Sequence, residues 1–299
     1  MSLSRRTLLL GAALGLAGCT QRKVEAPAEL VLATGPDGAV FREVGGALAD
    51  ALAEQLPGTK VIALPTAASV ENLRLLKSGT AQLALSSLDP IDDPHSVRAV
   101  GRLYDSFMQI AVPAISPIES FRDLAGKRIS LGPIGSGTEF TATRMMNHFG
   151  MSALDERMAH AEASRRVGEG TLDAMLALTG IPTPAITNLR GNVRLIDITK
   201  EAIELADAFR GPYIPATIPG KTYEALPANH TFAVPNLLLA HESLSADVVE
   251  VVTRTVFTET ARIVDGHPEA ARINVRTGIA TGEIPLHDGA VRWFRSIKR

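Results

Sequence analysis

Cysteine is almost absent: the 299 residues hold one, Cys19. No intrachain disulfide can form, so packing alone must hold the fold. Aromatic residues are scarce, with a single Trp and three Tyr, and nowhere do they interleave with a basic patch. The net charge of -2 and a pI near 6.4 give no basic field. Nucleic acid is thereby excluded as a partner. The seven histidines, at 95, 148, 160, 230, 241, 267 and 287, include no pair three or four residues apart, so no helical metal site is signalled. No nucleophile elbow is present, and the one thiol lies too near the N-terminus to serve a folded active site. The expectation is a protein without catalytic residues, metal or cofactor.

Long apolar runs are missing as well. The stretch from Leu8 to Ala17 follows Arg5 and Arg6 and falls short of the roughly 20 residues that span a bilayer. Charge and length make residues 1–19 a signal peptide. Its ending, Leu16-Ala17-Gly18-Cys19, resembles a bacterial lipobox, which implies lipidation at Cys19 as the first mature residue and a membrane-anchored lipoprotein outside the cytoplasm, in the periplasm. Ser4-Arg5-Arg6-Thr7-Leu8-Leu9 resembles a twin-arginine signal, so that route and the general secretory route both stay open. Residues 20–29, polar with one proline, read as a tether.

What the chain has in quantity is glycine turns between apolar runs. "ELVLAT" ends in "GPDG" and precedes a helical pattern from Val40 to Leu56. "KVIALPT", a helix from Ser69 to Lys77 and "AQLALSS" repeat the unit. Alternation with short connections predicts an α/β fold with mostly parallel sheets flanked by helices. The loops "TGPDG", "PTAAS" and "LSSLD" all follow strands, so they should meet at one sheet edge. After "MQIAVPAISP" a second unit reads as a short helix in "FRDLAG", a strand, a glycine loop and a helix. "LDAMLAL" and "VRLIDI" read as further strands. "FAVPNLLLA" (232–240) then returns the chain to the first unit, where helices from Ser245 to Val264 and from about Asp288 to Ile297 pack, Trp293 and Phe294 in the core.

The glycine loop is "LGPIGSGTEF", residues 131–140. It lacks the lysine of a nucleotide P-loop and the spacing of the dinucleotide fingerprint. Ser136 stands three residues before Glu139, the spacing of a capping box, which leaves the amides of Gly137, Thr138 and Glu139 as free donors for an anion.

"LATGPDGAVFREVGGALADAL", "ASVENLRLLKSGTAQLALSS", "FRDLAGKRISLGPIGSGTEFTATRMM", "PGKTYEALPANHTFAVPNLLLA" and "IPLHDGAVRWFR" run in one order from about residue 30 to 295. In this they resemble the TAXI-type solute-binding proteins of tripartite ATP-independent periplasmic (TRAP) transporters. The resemblance implies a two-lobed, type II periplasmic-binding-protein fold with a hinge of two crossings. Lobe I would be residues 30–112 plus 233–299 and lobe II residues 113–232. It also implies a small carboxylate ligand, such as glutamate or a 2-oxo acid, delivered to TRAP integral membrane subunits. A lipoprotein sensor or scavenger presenting its closed form to a membrane signalling partner is the alternative.

On this resemblance the ligand-binding positions are Gly35 and Gly38, Ala68 and Ser69, Ser86 and Ser87, then Ser136, Gly137 and Thr138, Thr179, Gly180 and Pro182, and Tyr213. Ser69 and Ser136 to Thr138 also suit plain helix caps, one of Ser86 and Ser87 must face away because strand side chains alternate, and Tyr213 suits packing equally. The first loop departs from the family: three hydroxyl residues usual there are replaced by Val40, Phe41 and Arg42. Arg42 either substitutes for them with a charge-assisted bond to ligand or pairs with Glu43 or a neighbour.

Overall fold

The structure, a computed structural model, describes residues 24–298. The signal peptide, Cys19 and the start of the tether lie outside the described residues. The chain enters as expected: β1 (Glu29–Ala33), α1 (Val40–Gln55), β2 (Lys60–Leu64), α2 (Ser69–Lys77) and β3 (Leu83–Ser87) alternate. β1 pairs in parallel with both β2 and β3, so the loops after all three strands open at one edge. Asn72 on α2 holds that edge together. It is fully buried; its amide donates to the carbonyls of Thr34 and Leu85, both at 2.7 Å, and its oxygen accepts from Thr66 Oγ1 at 2.6 Å.

β4 (Arg98–Pro113) is a single 16-residue strand. Then come β5 (Arg128–Ser130), α3 (Gly137–His148), β6 (Leu154–Glu156), α4 (His160–Gly168) and β7 (Ala174–Thr179). The sequence "FRDLAG" forms a 3₁₀ turn, Phe121–Leu124, closed by Ser120 and Asp123 acting on each other's backbone. α5 (Pro184–Thr187), β8 (Val193–Leu195), α6 (Thr199–Ala208), β9 (Ile214–Ile218) and β10 (Asn229–Ala240) complete the sheet. Its order is β2-β1-β3-β10-β4-β7-β5-β6, with β8 on β4 and β9 on β10. Helices flank this mixed sheet, an α/β architecture.

β4 and β10 are the two long crossings. The early part of β4 pairs with β10 and its late part with β7, while β10 pairs first with β9 and later with β3. The apolar clusters change hands along the same strands. Leu103 and Tyr104 pack with α1 and two C-terminal helices, whereas Met108, Ile110 and Val112 pack with α3 and α6. On β10 the change falls between Val234 and Leu237. In β4 the core therefore switches between Tyr104 and Met108, several residues before the division at 112/113 expected from sequence.

The C-terminal segment supplies α7 (Ala246–Thr258), α8 (Thr260–Val264), α9 (Val275–Gly278) and α10 (Asp288–Ser296). The single helix expected over 245–264 is broken at Glu259. Thr253, Thr255 and Thr258 each return a hydroxyl to the carbonyl four residues earlier, at 2.7, 2.9 and 2.9 Å. Such back-bonding bends helices, and here it precedes the break. Trp293 and Phe294 are core residues, as expected, and Phe257 lies at 5.5 Å and 5.2 Å from their rings.

Candidate functional site

Four helices begin around one small cavity between β3, β4, β7 and β10. From α1 come Ala39 and Phe41, from α2 Ala68 and Ser69, from α3 Ser136, Gly137 and Thr138, and from α4 His160. The first-turn amides of a helix have no acceptor within it, and they sit at the positive end of the helix dipole. Four such ends aimed at one space make it a place for negative charge. Ser87, Ser106, Thr179 and Asn236 add hydroxyl and amide groups, while Pro36, Ala67, Pro133 and Leu178 complete the wall. Its volume is about 50 Å³, room for a ligand of only a few heavy atoms. A wider space of about 440 Å³ adjoins it and shares Pro36, Ala39 and His160.

The local sequence explains the walls. Ser136 caps α3, accepting from the Glu139 amide at 3.0 Å. The Glu139 carboxylate reaches past the cap residue to the Gly135 amide at 2.7 Å, so the capping box is displaced by one residue. The Glu139 amide is thus engaged, and Gly137 and Thr138 carry the first-turn donors. Gly135 adopts φ +80°, and its carbonyl receives the Glu71 amide of α2 at 3.0 Å. Gly137 is required for a different reason. A Cβ there would lie 2.8 Å from Ser69 Oγ and 2.9 Å from Ser87 Oγ, closer than side chains tolerate. Thr138 Oγ1 accepts from the Leu178 amide at 3.0 Å and meets His160 Nε2 at 3.2 Å. Burial lowers the His160 pKa to about 4, so the ring is neutral near pH 7.

On the facing side Ala68, not Ser69, is the residue that caps α2, and its backbone stands at φ 91° and ψ -144°. That conformation is strained for any residue with a Cβ. The Ala68 amide is fixed by Thr66 Oγ1 at 3.0 Å. Ser69 Oγ instead accepts from the Ser87 amide at 3.1 Å and lies 3.0 Å from Ser87 Oγ.

The structure gathers seven of the fourteen residues expected from sequence on the inner cavity: Ala68, Ser69, Ser87, Ser136, Gly137, Thr138 and Thr179. The other seven lie apart. Ser86 turns to its neighbour's carbonyl at 2.9 Å, the alternation that sends one serine of the pair away. Gly38 lines the wider space, and Gly35 packs its backbone against Phe41. Gly180 faces Glu269 and Val40. The Pro182 carbonyl accepts from His267 Nε2 at 3.2 Å. Arg42 donates to the Ala63 carbonyl at 2.6 Å and pairs with Asp37 at 3.4 Å, so its charge is spent locally, the alternative of a neighbouring partner, here Asp37. Tyr213 is buried beneath α3, its hydroxyl donating to Asp89 Oδ2 and accepting from Arg144, both at 3.1 Å.

Sequence reading passed over Phe41, Ser106, His160 and Asn236 as wall residues. Asn236 did leave a signal, since it is a polar residue inside the apolar run 232–240, whereas Ser106 follows Asp105 in a strand already interrupted by polar residues. They bond across β4 and β10, Asn236 Nδ2 to Ser106 Oγ at 2.9 Å. Among the described residues no group of His, Cys, Asp and Glu is placed to hold a metal ion, and no helix is long and apolar enough to cross a membrane.

Residues 32–297 match the NMT1-like family, and the chain belongs to it. Several solved structures share the fold. The periplasmic binding protein BugD superposes with a TM-score of 0.57 at 14% identity over 91% of this chain and 98% of its own. AbpA of Streptococcus pneumoniae, an amino acid ABC transporter substrate-binding protein bound to L-arginine, gives 0.52 at 18% identity over 81% and 94%. XAC2383 of Xanthomonas citri, bound to ATP, gives 0.52 at 12% identity over 91% and 96%. At such identities the likeness establishes a periplasmic-binding-protein fold and leaves the ligand to the chain's own residues.

Proposed function

We propose that this NMT1-like protein is an extracytoplasmic solute receptor that closes two lobes on a small carboxylate and delivers it to a membrane permease. The lobes would be residues 30–112 with 233–299 and residues 113–232, hinged on β4 and β10. The observation that carries this reading is the convergence of four helix N-termini, with Ser69, Ser87 and Thr138, on one small cavity. Amides and hydroxyls of this kind bind an anion, which is the equipment of a binder.

Closure would be the signal that a permease reads. A solute touching both halves stabilises only the arrangement in which they meet. The finer assignment, a TAXI-type receptor tethered through Cys19 and serving TRAP membrane subunits, rests on the sequence resemblance and the lipobox. The test is a thermal-shift screen of the soluble form beginning at Thr20 against small carboxylates, amino acids and neutral sugars. Binding to the folded state alone raises Tm with ligand concentration. A response to sugars with none to any anion would overturn the carboxylate reading.

A further inference from the structure

The inner cavity carries hydroxyls, amides and apolar carbon, and among the described residues no Asp, Glu, Lys or Arg lines it. We infer that the ligand is a short, singly charged carboxylate whose second carbon bears an uncharged polar group, a 2-oxo or 2-hydroxy monocarboxylate, and that α-amino acids and dicarboxylates are rejected. The inference rests on the carboxylate reading above and narrows it.

An α-amino acid carries its ammonium one carbon from the carboxylate, so both charges must enter the same small space. The carboxylate meets the amides of Gly137 and Thr138 and their counterparts on α2. The ammonium meets the same positive helix ends and no counter-carboxylate. A buried charge without a partner costs several kcal/mol. His160 does not offset this, because its neutral ring carries no negative charge. Asp89 lies behind the wall, beside Ser87. Its Oδ2 takes the Thr141 hydroxyl at 2.5 Å and the Tyr213 hydroxyl at 3.1 Å, while its Oδ1 is buried without a hydrogen-bond partner, but the residue does not line the cavity. Asp37 stands at the wider space, 90% exposed and paired with Arg42. A second carboxylate on the ligand fares no better, since no cation faces the cavity to receive it. An uncharged oxo or hydroxyl group, in contrast, matches Ser87, Ser106, Thr179 and Asn236.

Volume points the same way. About 50 Å³ admits only a short acid, and anything longer must pass His160 into the wider space.

The experiment is calorimetric titration of the soluble protein at pH 7.5 with pyruvate, L-lactate, L-alanine, malonate and L-glutamate. Pyruvate or lactate should bind, with alanine and malonate at least roughly 100-fold weaker. Alanine or malonate within tenfold of pyruvate overturns the inference. Glutamate binding with no response to the short acids also overturns it and leaves the carboxylate reading standing; no response to any of the five acids, with binding of a neutral sugar, overturns both. A second arm uses Asn236→Asp, which sets a carboxylate in the wall at unchanged shape. It should weaken pyruvate roughly 100-fold and narrow or invert the ratio of pyruvate to alanine affinity. An unchanged ratio refutes the idea that the missing countercharge sets specificity. If alanine binds the unaltered protein and Asp89→Asn abolishes it, Asp89 is the countercharge and the inference falls.

Discussion

Gly137→Ala separates folding from closure. The position begins α3, where alanine is a better helix former than glycine by about 1 kcal/mol, so the second half of the molecule should fold at least as well. The new methyl nevertheless lies 2.8 Å from Ser69 Oγ and 2.9 Å from Ser87 Oγ, atoms of the first half. Ordinary contact needs about half an ångström more, and neither serine is free to give. Ser69 Oγ is held by the Ser87 amide and by Ser87 Oγ, and both residues are almost wholly buried. Overpacking of this kind costs about 1–3 kcal/mol. Here it falls on the closed arrangement alone, because separating the halves relieves it. The expected result is a roughly 5- to 150-fold loss of affinity for the best acid of the screen, with the Tm of the ligand-free protein unchanged or slightly raised. At ligand concentrations that saturate the unaltered protein, small-angle scattering should find a larger radius of gyration for the variant. Ser87→Ala in the same chain removes one of the two obstructing oxygens and should return part of the loss, a coupling that a double-mutant cycle measures. Unchanged affinity in Gly137→Ala would refute the reasoning, since it would mean that the two halves do not meet at this glycine in the bound state.

Three other substitutions test the supports of the site. Asn72→Ala strands two buried carbonyls and the Thr66 hydroxyl, and should cost about 3 kcal/mol or more in urea-melt stability; a loss below about 1 kcal/mol would mean that the strand ends are held otherwise. Ala68→Gly releases the strained cap at φ 91° and should gain about 1 kcal/mol, net of the added freedom of the unfolded chain, seen as a Tm rise of about 2–4 °C; a lower Tm would refute the strain. Glu269, buried against Gly180 with Arg272 Nε at 2.9 Å, has its pKa raised by burial to about 7 from 4.5. The folded state therefore holds this proton more tightly than the unfolded chain, so ionisation weakens the fold progressively between those two pH values. Tm of the unaltered protein minus that of Glu269→Gln should fall as pH rises from 4.5 to 7 and level off above. The difference cancels the opposite trend from His160, whose lowered pKa makes stability rise between about 4 and 6.5. A flat difference would refute the buried-carboxyl account.

Strands, helices and the edge where three loops meet were legible because each is written in a short window. The helix over Ser69–Lys77 was located to the residue, and Ser136 was recognised as a cap from a three-residue spacing. β4 was not read as a strand. Arg102, Asp105 and Ser106 interrupt its apolar pattern, and they sit where the strand passes from one core to the other, so the interruption that hid the strand marks the crossing.

The site itself was legible only in part, because its contacts are non-local. Asn72 is an unremarkable polar residue of a helix until three strand ends are seen to need it. Arg42 was a candidate for the ligand because the sequence could not show Ala63's carbonyl and Asp37 competing for it. Tyr213, a sound guess on resemblance, is taken by Asp89 and Arg144. The glycines were the reverse case, correct in place but carrying several meanings under one letter. Gly135 serves a turn that only glycine adopts easily, whereas Gly137 serves a contact with serines 68 and 50 residues earlier in the chain. Nothing in a local window distinguishes these two uses. Both glycines reach the opposite wall, Gly135 through its carbonyl to the Glu71 amide and Gly137 through its contact with the two serines, and the closure proposed above would depend on both joints.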